Sequence, residues 1–172
     1  MAEILALTAS IIAIGQAAEK AFKVADSLYR TARRVQTAKD DISGFALKVT
    51  NFATAVDAVH ISLKYHTSGE DMKSPVLEFI AEHDTLKKLA AQSRRVTDAI
   101  RKLRGPIKEL EGELSVWKRL KWVMQKKEIL ALDPEMESVK SSLQLVLSVV
   151  MLEVLLSKIQ AKTGEEEQQR QI

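Results

Sequence analysis

The chain has 172 residues, 46% hydrophobic and 28% charged, with 26 Lys and Arg against 23 Asp and Glu for a formal net charge of +3. That length fits one globular domain with a sizeable core. Cysteine is absent, which excludes disulfides and thiolate metal sites, and six glycines with three prolines leave few turns, which argues against a sandwich or a barrel.

The first helix is expected from near Ala2 toward Val35, with Gly15 inside it at a cost of about 1 kcal/mol relative to alanine. Glu3 stands where a secretory signal would carry a base, so a cytoplasmic location is expected rather than export. Residues Ile4 to Ala18 carry no charge, yet at ~1.5 Å per residue they span roughly 22 Å, short of the ~30 Å hydrocarbon core. Ile4 to Ile14 is apolar almost all round, more than a helix docked along one stripe requires. Two readings of that surplus are compatible: burial on several sides at rest, and release later into another environment.

Ile42, Phe45, Val49, Phe52, Val56, Val59 and Leu63 alternate spacings of three and four, the apolar seam of a second helix packed at a shallow angle. Asp40 and Asp41 suit its first turn, and His66 to Gly69 mark its end. After a loop from Ser68 to Lys73, Ser74 and Pro75 form an N-cap and N1 pair opening a third helix. Its register continues through Leu86, Leu89, Val96, Ile100, Leu103, Ile107, Leu110, Leu114 and Trp117, crossing Gly105-Pro106 in phase. At that point either one helix kinks or one ends and another begins on the same side. Asp133-Pro134 reads as a cap and N1 pair, so a further helix is expected from near residue 134, with Met136, Val139, Leu143, Val146, Val150 and Val154 on its inner face. Leu143 to Leu156 is read as the buried face of a soluble helix, because Gln144, Ser148 and Glu153 interrupt it. The expected fold is all-α: an antiparallel four-helix bundle of helices about 30 residues long, with Ile107 to Ala131 as a shorter extra or kinked segment.

Catalytic chemistry is not encoded in any recognisable motif. His60, His66 and His83 lack zinc-binding spacing, the glycines stand singly with no phosphate-cradling loop, and no nucleophile elbow or acid and base pair is visible. No catalytic, cofactor-binding or metal site is expected, and the chain is not read as an enzyme. The bases are informative because they are uneven: Lys87 to Lys127 holds 13 Lys and Arg against four acids. Within it, Lys118, Arg119, Lys121, Lys126 and Lys127 surround Trp122 without an acid, a composition suited to anionic lipid headgroups. The plainer reading is a solvated face whose Trp117, Leu120 and Met124 pack inward. Nucleic acid is disfavoured as a partner, since the eight aromatic residues fall mostly on core seams and none interleaves with bases as a stacking motif.

The opening Met-Ala-Glu-Ile-Leu-Ala-Leu-Thr-Ala-Ser-Ile-Ile-Ala-Ile, with Arg119-Leu-Lys-Trp122, Lys127-Glu-Ile129 and Lys140-Ser-Ser-Leu143, resembles the fungal N-terminal domain of STAND proteins, a HeLo-like group. The likeness spans most of residues 1 to 160 and rests on the order and spacing of loose motifs. It implies a HeLo-like bundle over 1–163 followed by a polar tail or linker over 164–172. It also implies an NLR-like signalling or cell-death effector that stays cytoplasmic until recruited to the plasma membrane. By that resemblance, self-association frees the first helix, with Ile4, Leu5, Leu7, Ile11, Ile12 and Ile14 as the inserting residues. Lys118, Arg119, Lys121, Trp122, Lys126 and Lys127 would meet headgroups of anionic membrane lipids. A nucleotide-binding STAND module, in cis or in trans, is the implied partner. Asp133-Pro134 departs from the continuous helix usual in relatives. The competing expectation is a soluble interaction or adaptor module whose basic face binds a protein.

Overall fold

The computed structural model describes residues 2–35, 38–67, 75–112 and 115–169, and the side chains within those ranges except at 2–4, 116 and 163–169. Ser74, Leu114, the loop Ser68 to Lys73, the last residues of the expected tail and the side chain of Ile4 lie outside the described residues. Five helices follow in order: α1 (Ala2–Ala32), α2 (Lys39–Thr67), α3 (Pro75–Glu82), α4 (Thr85–Lys108) and α5 (Val116–Gln169). The chain is therefore an all-α bundle, as its 3.5-residue periodicity and scarcity of glycine and proline predict.

The α2 seam is fully internal: all seven residues from Ile42 to Leu63 are buried, Phe52 among them. Ala38 adopts a left-handed φ of 68° and its carbonyl accepts from Ile42 N at 2.9 Å, so α2 starts where the first-turn acids place it. The expected register from Pro75 to Trp117 is broken twice, between α3 and α4 and again between Lys108 and Val116. Asp84 takes the left-handed region at φ 53°, which Asp tolerates better than most side chains, closing α3 and opening α4. Gly105-Pro106 ends nothing; α4 runs through Pro106 and stops at Lys108. Buried Leu103 and Ile107 hold the turn on either side.

The expected boundary at Asp133-Pro134 is overturned, because α5 is one continuous helix of 54 residues with Pro134 inside it. Proline cannot donate to the carbonyl four residues earlier, and that residue, Leu130, is exposed, so water can satisfy it. Asp133 does not cap; its carboxylate pairs with Lys48 of α2, while Leu132 and Met136 are buried beside it. The helix also continues past Gly164 to Gln169, where a polar tail was expected. Helix lengths are thus 31, 29, 8, 24 and 54 residues rather than four near 30.

Packing directions follow from residue pairs. Asp41 with Lys126, Lys48 with Asp133, and His66 with Met151 are each separated by 85 positions, so α2 and α5 run parallel in fixed register. Thr97 donates to Ala17 O and Thr31 to Glu111, both 80 apart, so α1 and α4 are likewise parallel. Gly15 against His60, and Glu109 with Lys121, mark the antiparallel pairs α1–α2 and α4–α5. Direction alternates along the chain through these four helices. α1 and α5 occupy opposite corners, and the connection through α3 crosses from α2 to α4.

Candidate membrane-facing surfaces

The registers above divide the bundle into two chemically different ends. At one end lie the close of α1, the start of α2, the close of α4 and the start of α5. Arg30, Arg33 and Arg34, then Arg101, Lys102, Arg104 and Lys108, then Lys118, Arg119, Lys121, Lys126 and Lys127 gather there. At the other end lie the start of α1, the close of α2, α3 and the second half of α5. Since α4 separates them with 24 residues at ~1.5 Å each, the ends are roughly 36 Å apart.

The basic end is pinned by its loops. Val35 and Gly112 form an isolated parallel bridge, Gly112 has a left-handed φ of 96°, and Lys118 Nζ donates to Glu111 O at 2.6 Å. Glu111 also accepts from Thr31 at 3.3 Å and lies 3.7 Å from Arg34. Of the expected headgroup residues, Trp122 is corrected. It is 7% exposed on the inner face of α5 with Ile129, Leu132 and Met136, and its Nε1 donates to Asp41 Oδ2 at 3.2 Å. Lys126 donates to the same oxygen at 3.0 Å, and Lys121 pairs with Glu109. Arg119 and Lys127 are exposed and make no ion pair among the described residues.

The inward packing of Trp117, Leu120 and Met124 is overturned as well. Trp117 is 79% exposed, and Leu120, Val123 and Met124 are exposed beside it. Trp117, Leu120 and Met124, with Ser115, Lys118, Lys121 and Glu109, line an open groove of about 470 Å³. The indole that faces outward among the bases is therefore Trp117, five residues before Trp122, the residue the sequence favoured. An apolar body flanked by lysine and arginine stems suits a headgroup boundary.

On α1 the six expected inserting residues divide by face. Leu7, Ile11 and Ile14 are core, Leu5 and Ile12 are exposed, and the side chain of Ile4 lies outside the described residues. These residues sit at the end of the bundle opposite Lys118 to Lys127, so the structure does not bring the two candidate sets together. Farther along α1, Lys23 donates to Glu19 at 2.5 Å and holds that carboxyl below the usual carboxylate range.

A surface that the sequence reading assigned to the core is the second half of α5. Its inner face does pack, through Met136, Val139, Leu143 and Val150, with Val146 and Val154 half-buried. The opposite face carries Leu145, Val149, Leu152, Leu156 and Ile159, all exposed, with Leu155 alongside. The sequence of α5 carries two interleaved apolar phases, one facing the core and the other facing solvent. Thr67, the last residue of α2, aligns with residue 152 of α5 in the 85-position register, so the helix beyond projects past its neighbour. Pro75, Val76 and Phe79 of α3 meet Leu145, Val146 and Val149 across a cavity of about 340 Å³. Val76 N donates to Glu153 there at 3.3 Å.

Among the described residues, two helices are apolar enough by length and composition to cross a membrane: α1, with 39% of its most apolar window buried, and α5, with 11% buried. The histidines are placed apart: His60 against Gly15, His66 Nε2 3.1 Å from Met151 Sδ, and His83 Nδ1 2.9 Å from Phe79 O. No group of three or more His, Asp or Glu able to hold a metal ion occurs among the described residues. No family model, no curated protein and no solved structure matches the chain.

Proposed function

We propose that this bundle is a signalling or effector domain that docks its basic end on anionic membrane and acts through self-association. This reading is the one implied by the resemblance to fungal STAND N-terminal domains, with a nucleotide-binding module supplied in cis or in trans. The observation that carries it is the exposed trio Trp117, Leu120 and Met124 set among Lys118, Arg119 and Lys121. Near an anionic surface each base contributes about 1 kcal/mol, and a wedge of exposed apolar side chains adds a non-electrostatic share. Docking of this kind leaves the bundle intact and suits a cytoplasmic protein recruited to the plasma membrane.

Insertion of α1 is a second and costlier step. Exposing Leu7, Ile11 and Ile14 to water costs about 1.5 to 3 kcal/mol each, a total comparable to the ~5–15 kcal/mol stability of a whole domain. The helix therefore stays docked at rest, and higher-order assembly or lipid must supply the difference. Vesicle flotation tests the docking step: phosphatidylserine vesicles should carry the protein and phosphatidylcholine vesicles should not. The double substitution Arg119→Glu with Lys127→Glu should abolish flotation without altering the fold, because neither base makes an ion pair among the described residues. Retention of binding by that variant would refute the reading. For insertion, Ile12→Glu is the informative variant, since Ile12 is exposed at rest whereas Ile11 is core. It should fold normally yet block dye leakage, as a charge at mid-bilayer costs a few kcal/mol.

A further inference from the structure

We infer that the outer face of α5, Leu145, Val149, Leu152 and Leu156 with Ile159 continuing it, is a pairing surface for a second copy of this chain. The inference extends the self-association half of the proposed function by naming a surface, and it stands apart from lipid binding. Period, charge and area converge on it.

The spacings 4, 3, 4, 3 repeat every 3.5 residues on average, the period at which one helix presents a continuous seam to another. The bases and indole that suit a headgroup boundary lie on α5 near residues 117–127, whereas Glu153 is the only charged residue between Ser141 and Ser157. The back of the helix is held by Leu143 and Val150 in the core, so the outer face can be covered while the bundle stays intact. A charge-poor seam held on its inner side fits an equally charge-poor helix.

The surface is also self-complementary and of suitable size. A two-fold contact centred on Leu152 sets large aliphatic side chains against large aliphatic side chains along the whole seam. Leu145, Val149, Leu152, Leu155, Leu156 and Ile159, exposed by two-fifths to two-thirds, together offer on the order of 600 Å² per copy, and Phe79 across the neighbouring groove extends the patch toward the ~800 Å² per partner of a standard interface.

The test is made on the full chain in lipid-free buffer. Sedimentation equilibrium should give twice the chain mass, and Leu152→Glu should return it to one chain mass with an unchanged helical circular dichroism spectrum. Leu120→Glu, on the basic end of the same helix, should leave the mass doubled. The absence of cysteine permits a second measurement that needs no destabilising charge: Leu152→Cys should form an interchain disulfide under mild oxidation, and Lys102→Cys on exposed α4 should not. A monomeric parent chain, a Leu152→Glu variant that stays dimeric, or equal crosslinking at both cysteines overturns the inference. A parent chain that is monomeric in buffer and yet floats with anionic vesicles rejects the pairing surface while leaving the docking reading intact. A dimer that fails to float does the reverse.

Discussion

The two tryptophans are only five residues apart, and the bundle gives them opposite roles, so truncating each should separate stability from lipid binding. Trp122 is buried against the start of α2, with its Nε1 donating to the Asp41 carboxylate at 3.2 Å. Trp122→Ala removes a large core side chain, a loss of about 3–5 kcal/mol. The hydrogen bond to a charged acceptor adds about 1.5–3 kcal/mol at full strength, discounted here because Asp41 is partly exposed and keeps Lys126. A total near 4–5 kcal/mol would consume most of a typical domain's stability. Trp117, 79% exposed, should cost within ~0.5 kcal/mol when cut to alanine. Urea unfolding monitored by circular dichroism measures both. Fluorescence of the single-tryptophan variants Trp122→Phe and Trp117→Phe supplies the functional half. The variant that retains Trp117 should emit as a water-exposed indole and shift to the blue on adding phosphatidylserine vesicles, whereas the variant that retains Trp122 should already emit in the blue and not move. Equal destabilisation by the two alanine variants, or a lipid-induced shift at Trp122, would refute this division of α5 into an inner and an outer face.

Three further substitutions probe the bundle itself. Phe52→Ala in the centre of the α2 seam should lower unfolding free energy by about 3–5 kcal/mol in urea titration, and a loss below 1 kcal/mol would reject the seam. Pro134→Ala should raise stability by about 1–3 kcal/mol, because it restores a helical hydrogen bond in mid-α5; a residue opening a new helix at N1 would give no gain. Gly15→Ala gains about 1 kcal/mol of helix propensity but sets its Cβ 2.7 Å from the His60 ring, so a net loss is expected that His60→Ala in the same chain relieves, measured as a double-mutant cycle in Tm.

What the sequence made legible is what periodicity encodes. The α2 seam, the bounds of α2 and the helical class follow from one uninterrupted 3-4 alternation, and the bundle follows from several such runs with little turn chemistry between them. Local punctuation misled where tertiary contacts outweighed it. Asp133-Pro134 looks like a cap, yet the Asp133 carboxylate is taken by Lys48, and burial of Leu132 and Met136 keeps the helix whole. His83-Asp84 looks like nothing, yet Asp84 turns the chain through a left-handed residue. Gly15 read as a tolerated defect, whereas the structure uses its missing Cβ to admit His60. Side-chain direction within the basic stretch was the largest gap: composition drew attention to residues 118–127, and only the α2–α5 register decides which indole turns outward.

The separation of the two ends bears directly on how such a domain could work. A bundle resting on anionic lipid by Trp117 and its neighbouring bases holds the start of α1 roughly 36 Å away, close to the thickness of a bilayer's hydrocarbon core. If α1 enters the membrane from that posture, it does so not by simple extension but by swinging through most of the bundle's length, pivoting near Arg33 and Arg34 at its basic end. The Glu111 contacts to Thr31 and Arg34 brace that same end of α1. Glu111→Ala removes both while leaving the buried Leu7, Ile11 and Ile14 untouched. If release of α1 pivots there, this variant should speed dye leakage from phosphatidylserine vesicles without changing the amount of protein bound. Slower or unchanged leakage at equal binding would rule out the pivot, and a parallel loss of binding would show that the brace serves docking instead.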